Sequence, residues 1–508
     1  MKHLIAAAIV AAFAAAAPHS TSESVAPSPM VIPATRRSVD FSHGISALHA
    51  RDLSSDESIA LKWKLNDNLN GVFVIEIGVG TPPQKIEAVL DIAFSDIFIH
   101  SSSDEAFAEN CKMQTPYSTC WGTFNNCTSS TFHQLSNDSA FNYTYGPWIN
   151  YGPYISDVLE IGKSKVKSQT IALATHGEMP VSLLGTAFRP LEYGVTDKTF
   201  PEYPTFIENL VAQKQIQSAT FSVYLSPSEG ALSGADTFPD GSIIFGGLDT
   251  SLADGDFVTL PAIDGLTTTV ASNPKFWNIQ LSSVTLGHAK NASNLVPAKS
   301  GDSCVLDAGT AYNLYNTDTY NALISALGSA GSVNASTGVY EVPCSARFNS
   351  SFDITHTFSD PRDPKRSISL LQPASETIWT QDRIIAGGEA DRCGLANVPF
   401  QEALPGFADL VQCVIGVSGM KDAYWVFDMH NKEVSIAKAS AKQRPSHVVS
   451  IPEQGISGLG LAQGNGTFGP GPAKVSTESS RPTSSSVRSL GPGPAKPTET
   501  SVAACFKA

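Results

Sequence analysis

Lys85-Ile86-Glu87-Ala88-Val89-Leu90-Asp91-Ile92-Ala93-Phe94-Ser95-Asp96-Ile97-Phe98-Ile99 places an aspartate inside an apolar run. A bare carboxylate is expensive there, so Asp91 needs hydrogen-bond donors or a shared proton. The chain repeats the arrangement in Val305-Leu306-Asp307-Ala308-Gly309-Thr310. One such aspartate would read as a buried turn residue. Two, each followed in its own half by an apolar-apolar-Gly triplet (Leu183-Leu184-Gly185 and Val414-Ile415-Gly416), imply two copies of one structural unit.

Working outward, the 508 residues are 42% hydrophobic and 16% charged, enough to bury a large core in at least two lobes. Asp plus Glu number 47 against 33 Lys plus Arg, a formal charge of −14. That balance argues against a nucleic-acid partner, which calls for a basic face, and suits mildly acidic surroundings.

Met1-Lys2-His3 followed by the apolar, Ala-rich run 4–17 reads as a secretory signal, too short for a membrane span. Residues 18–60, with Ser, Ala, Pro and Arg36-Arg37, read either as a pro-segment with a dibasic processing site or as a disordered linker. For an exported chain, eight cysteines without zinc-ligand spacing point to structural disulfides. Sequons at Asn126, Asn137, Asn142, Asn291, Asn334, Asn349 and Asn465 agree with export.

From Gly71 to about residue 440, short Val/Ile/Phe/Tyr runs alternate with Gly, Pro and Asn, the signature of a mainly β protein. Helices are expected only at 205–213, 317–327 and 401–411. Residues 442–508 turn Ser-, Thr-, Pro- and Gly-rich, repeat Gly-Pro-Gly-Pro-Ala-Lys and read as a flexible extension.

Gly78-Val79-Gly80-Thr81-Pro82-Pro83-Gln84 leading into Val89-Leu90-Asp91 resembles the opening of the pepsin family of aspartic peptidases. The likeness continues through Tyr143-Thr144-Tyr145-Gly146, Phe221–Ser226, Ile243–Asp249, Phe276-Trp277-Asn278-Ile279, Cys304–Asp307 and Val426-Phe427-Asp428, in the family's order. It spans residues 68–440. The resemblance implies the bilobal pepsin-like acid protease fold: an N-terminal lobe at 68–225, a C-terminal lobe at 226–441, both β-barrel-like, and a cleft between them. It implies Asp91 and Asp307 as the catalytic dyad, Tyr145 and Gly146 on a flap over the cleft, and Gly309 and Thr310 beside the second aspartate. Two carboxyls held a few ångströms apart cannot both ionise, so they share a proton and activate a water. No metal or cofactor is called for. A polypeptide substrate in the cleft, a monomeric state, and a secreted or cell-wall location complete the expectation.

The loops depart from the family's Asp-Thr-Gly-Ser/Thr. Asp91-Ile92-Ala93-Phe94 lacks both hydroxyls, and Asp307-Ala308-Gly309-Thr310 lacks the first. Each missing hydrogen bond to a charged group is worth on the order of 1.5–3 kcal/mol. Trp148 and Val417 stand where the family has a small residue and an Asp. Two readings follow: an acid endopeptidase, or a pepsin-like shell whose cleft only binds a peptide, a glycan or another enzyme. Tyr145 likewise reads as a flap residue or as a strand aromatic packed on the lobe.

By the same resemblance Cys344 and Cys393 form the second-lobe disulfide. Two of Cys111, Cys120 and Cys127 are expected to pair. Cys304 and Cys413 either bond or stay as buried thiols, and Cys505 is left over.

Overall fold

The computed structural model describes residues 58–64, 72–105, 107, 121–145, 148–179, 181–225, 241–265, 267, 269–287, 293–294, 302–334, 339–380, 392–399, 411–440 and 444–459. Residues 1–57, which hold the expected signal and all but the end of the expected pro-segment, residues 460–508, Gly146, Cys111, Cys120, Cys505, Asn291, Asn465 and all but the end of the 401–411 stretch lie outside these residues.

The fold is the mainly β, two-lobed architecture expected. In the first lobe, Val72–Val79 and Gln84–Asp91 are antiparallel neighbours that bury both faces. Phe73, Ile75, Ile77, Ile86, Ala88 and Leu90 enter one apolar cluster, while Val72, Val74 and Val89 enter another. Two-sided burial is why the run into Asp91 is almost continuously apolar.

Each half then makes the same three-strand figure. Ser182–Gly185 lies between Gln84–Asp91, which it pairs in parallel, and Ile97–His100, which it pairs antiparallel. Cys413–Ile415 lies between Asp302–Leu306, again parallel, and Asn313–Tyr315, again antiparallel. The two triplets end in glycine for a steric reason. A Cβ on Gly185 would come within 2.6 Å of the Phe94 carbonyl oxygen, and one on Gly416 within 2.7 Å of the Thr310 carbonyl oxygen. The inserted strand can thus lie hard against the aspartate turn.

The lobes are sewn together by a shared sheet. Ser58–Lys64 pairs with Val72–Val79 on one side and Gly241–Phe245 on the other, and Thr220–Leu225 bridges Gly241–Phe245 to Ala423–Asp428. This strand begins inside the stretch expected to be pro-segment or linker. Helix Phe206–Ala212 starts at a capping box of Thr205 and Glu208, and helix Thr317–Leu327 starts at Asn316.

The C-terminal extension differs from expectation at its start. Val448–Ser450 pairs with Gly247–Asp249, and Ile451 and Ile456 are buried with Leu248, Phe257 and Tyr424. Val449, Ile451 and Ile456 supply the apolar surface that docks this segment despite its Ser/Pro composition.

Cys344 is joined to Cys393, and Cys304 to Cys413 across facing positions of two parallel strands. Cys127 is also disulfide-bonded.

Candidate active site

Asp91 is the last residue of its strand, and the following turn is pinned by the inserted strand. Gly185 N–H donates to the Asp96 carbonyl (3.1 Å), Thr186 N–H to that of Asp91 (3.0 Å) and Ala187 N–H to that of Phe94 (2.9 Å). The Asp91 carboxyl accepts the Ala93 N–H at 2.9 Å and a further amide hydrogen bond from Phe94. Replacing the usual glycine by Ala93 therefore keeps the amide donor.

Asp307 is held by the equivalent contacts and by one more. Its N–H donates to the Ile415 carbonyl (3.0 Å), and Val417 N–H closes the loop on the Thr310 carbonyl (2.8 Å). Oδ1 accepts the Gly309 N–H at 2.7 Å, and Oδ2 accepts the Thr310 hydroxyl at 2.7 Å.

The two loops bring these carboxyls together. A Cβ built on Gly309 would lie 2.9 Å from Asp91 Oδ2 and 3.1 Å from Asp307 Oδ1, so both acids flank one backbone carbon, and a hydrogen bond links them. Asp91 is 3% exposed and Asp307 1%. Burial raises both pKa values. The charge of Asp307 pushes Asp91 further up, whereas the Thr310 hydroxyl and the Gly309 amide pull Asp307 back. Asp91 is therefore raised further than Asp307, in keeping with the Thr310 hydroxyl that Asp307 accepts and that Phe94 does not supply to Asp91.

Ile92 and Ala308 are fully buried and belong to one apolar cluster that runs through both lobes. Apolar packing occupies the floor where the family's two threonines would exchange hydrogen bonds. A directional tie exists nearby. The Trp277 indole N–H donates to the Thr186 carbonyl (3.1 Å), and the Trp277 carbonyl accepts the Leu306 N–H (3.0 Å). One residue thus grips the strand beside Asp91 and the residue preceding Asp307. The sequence offered Trp277 as a family motif, with nothing to reveal this role.

Tyr145 ends the strand Phe141–Tyr145, which forms a hairpin with Trp148–Gly152 and pairs Tyr145 with Trp148. Gly146 lies outside the described residues. Two positions earlier, Tyr143 is buried against Phe94, ring centroids 5.2 Å apart, and the charges of Asp91 and Asp307 both act on its hydroxyl. Sequence reasoning passed over Tyr143 as a site residue.

Behind the Asp91 turn sits a second acidic group. Asp96 accepts the hydroxyls of Tyr203 (2.6 Å) and Tyr154 (3.0 Å) and the Tyr193 N–H (2.8 Å). Glu192, fully buried, accepts the Tyr203 N–H at 3.1 Å. Burial, then the nearby Asp96, pushes Glu192 up to about 9. Among the described residues no three His, Cys, Asp or Glu side chains cluster as a metal site would require, and no helix is long and apolar enough to cross a membrane.

Comparison with known proteins gives a consistent answer. A family profile described as eukaryotic aspartyl protease matches residues 72–439. A probable aspartic-type endopeptidase, opsB, of Aspergillus oryzae is 25% identical over 387 residues, covering 76% of this chain and 72% of that protein. Vacuolar protease A of Arthroderma otae is 25% identical over 379 residues, covering 74% and 80%. The crystal structure of the aspartic proteinase from Irpex lacteus superposes with a TM-score of 0.58 at 19% identity, covering 77% of this chain and 100% of that one.

Proposed function

The chain belongs to the eukaryotic aspartyl protease family, and on that premise we propose that it is a secreted endopeptidase that hydrolyses polypeptides at acidic pH through Asp91 and Asp307. The observation that carries this reading is the pair itself: two buried carboxyls, one from each lobe, flank Gly309 and share a hydrogen bond. A water bound between them gives a proton to ionised Asp307 as its oxygen attacks the scissile carbonyl carbon. Asp91 delivers its proton to the carbonyl oxygen. The tetrahedral diol then breaks at the C–N bond, Asp307 passes its proton to the leaving nitrogen, and the diol returns one to Asp91.

Export is supported by the signal-like residues 1–17 and by exposed sequon asparagines at 137, 142 and 349. Asn126 is buried, which makes it a poorer acceptor.

Purified, acid-treated protein offered a peptide library between pH 2 and 7 tests the proposal, wild type beside Asp91→Asn and Asp307→Asn. Pepstatin-sensitive cleavage lost in both variants is the expected outcome. Phe94, which leaves Asp91 without a hydroxyl donor in its own loop, favours the rival reading of a cleft that binds without cutting. Retained peptide binding with no cleavage at any pH, unchanged in Asp307→Asn, would establish that rival.

A further inference from the structure

The two aspartate loops differ in their hydroxyl donors: three residues after Asp307, Thr310 donates a hydroxyl to the carboxylate, and three residues after Asp91 stands Phe94. We propose that Tyr143 is a positioning residue for Asp91, its phenol supplying, once a substrate occupies the cleft, the hydroxyl that Phe94 lacks. The inference rests on the peptidase reading above.

Three observations lead to it. First, Tyr143 sits on the correct face. It packs in the apolar cluster that contains Val89 and Leu183, and strand alternation puts Val89 on the same side of its strand as Asp91. Second, the ring packs against the residue that replaced the hydroxyl, 5.2 Å from Phe94 between centroids, and meets Tyr193 edge-on at 5.3 Å. Third, its backbone is anchored to the lobe through the hairpin's second strand. The buried Asn150 donates to the Tyr143 carbonyl (3.4 Å) and accepts the Met179 N–H (3.1 Å), which ties this strand to the lobe. The electrostatics agree: after burial, Asp91 is the largest influence on the hydroxyl, and Asp307 also acts on it.

A phenol hydrogen bond favours the ionised dyad, so its loss should raise the pH at which the dyad first ionises. The experiment compares wild type with Tyr143→Phe, which keeps the ring and its packing, and with Tyr145→Phe. In Tyr143→Phe, kcat is expected to fall about 10- to 100-fold with KM changed less than about twofold, and the acidic limb of the kcat/KM profile to move up by about one pH unit. Thermal unfolding should not change. If wild type cleaves and the Tyr143→Phe profile superimposes on it, the inference is wrong and the peptidase reading stands. If wild type never cleaves, the reading is wrong. Carboxyl titration by 13C NMR then decides the inference: an upward move of the Asp91 midpoint in Tyr143→Phe supports it, and coincident curves overturn it.

Discussion

Replacing Glu192 by glutamine should flatten the dependence of stability on pH. Glu192 is fully buried, its Oε2 accepts one backbone N–H, its Oε1 has no hydrogen-bond partner among the described residues, and the carboxyl of Asp96 adds repulsion. It is therefore neutral in the folded protein until about pH 9, whereas in the unfolded chain it ionises near 4.5. Below 4.5 both states are protonated and folding carries no penalty. Between 4.5 and about 9 the unfolded state releases a proton that the folded state retains, so stability falls as pH rises. The slope reaches about 1.4 kcal/mol per pH unit, which from pH 5 to pH 8 amounts to about 4 kcal/mol from this one group. That is a large share of the roughly 5–15 kcal/mol typical of a folded domain. Glutamine keeps the acceptor for Tyr203 N–H and does not titrate. Urea unfolding of wild type and Glu192→Gln at several values between pH 5 and 8 measures the difference. Wild type should lose about 4 kcal/mol more than the variant over that range; parallel curves would refute the reasoning.

Thr310→Val removes the hydroxyl that holds Asp307 ionised, so the acidic limb of the activity profile should rise by about 1–2 pH units, read from kcat/KM. Trp277→Phe deletes the indole hydrogen bond to the Thr186 carbonyl and should cost about 1–3 kcal/mol in urea unfolding while lowering kcat. Ile451→Ala, in the docked segment after the second lobe, should destabilise by about 2–5 kcal/mol, whereas a flexible extension would show no change.

The fold was legible because its signals are repeated and local. Two aspartates in apolar runs, each answered by an apolar-apolar-Gly triplet, correspond to two three-strand figures with the same pairing senses. The helix at 205–213 could be read from a Thr-x-x-Glu box, which is a short-range pattern. Contacts made across the molecule were hidden. Nothing near Trp277 announces that its indole reaches Thr186, ninety-one positions away, or that Glu192 is buried beside Asp96. The segment after residue 442 misled for the opposite reason. Its average composition is that of a disordered chain, but Val449, Ile451 and Ile456 dock on a surface whose other apolar residues come from elsewhere in the sequence.

The degenerate loops decide less against catalysis than their spelling suggests. Ile92 and Ala308 lose a hydroxyl exchange, yet both are sealed in a cluster common to the two lobes, so the floor can be held by packing and by the Trp277 tie. Ala93 retains the amide that its glycine would have offered. What the substitutions change is symmetry. Asp307 accepts two amides and a hydroxyl and Asp91 amides alone, so the negative charge is better supported on Asp307. A dyad needs one acid and one base, and on the proposed peptidase reading these unequal surroundings would bias the two roles before any substrate binds.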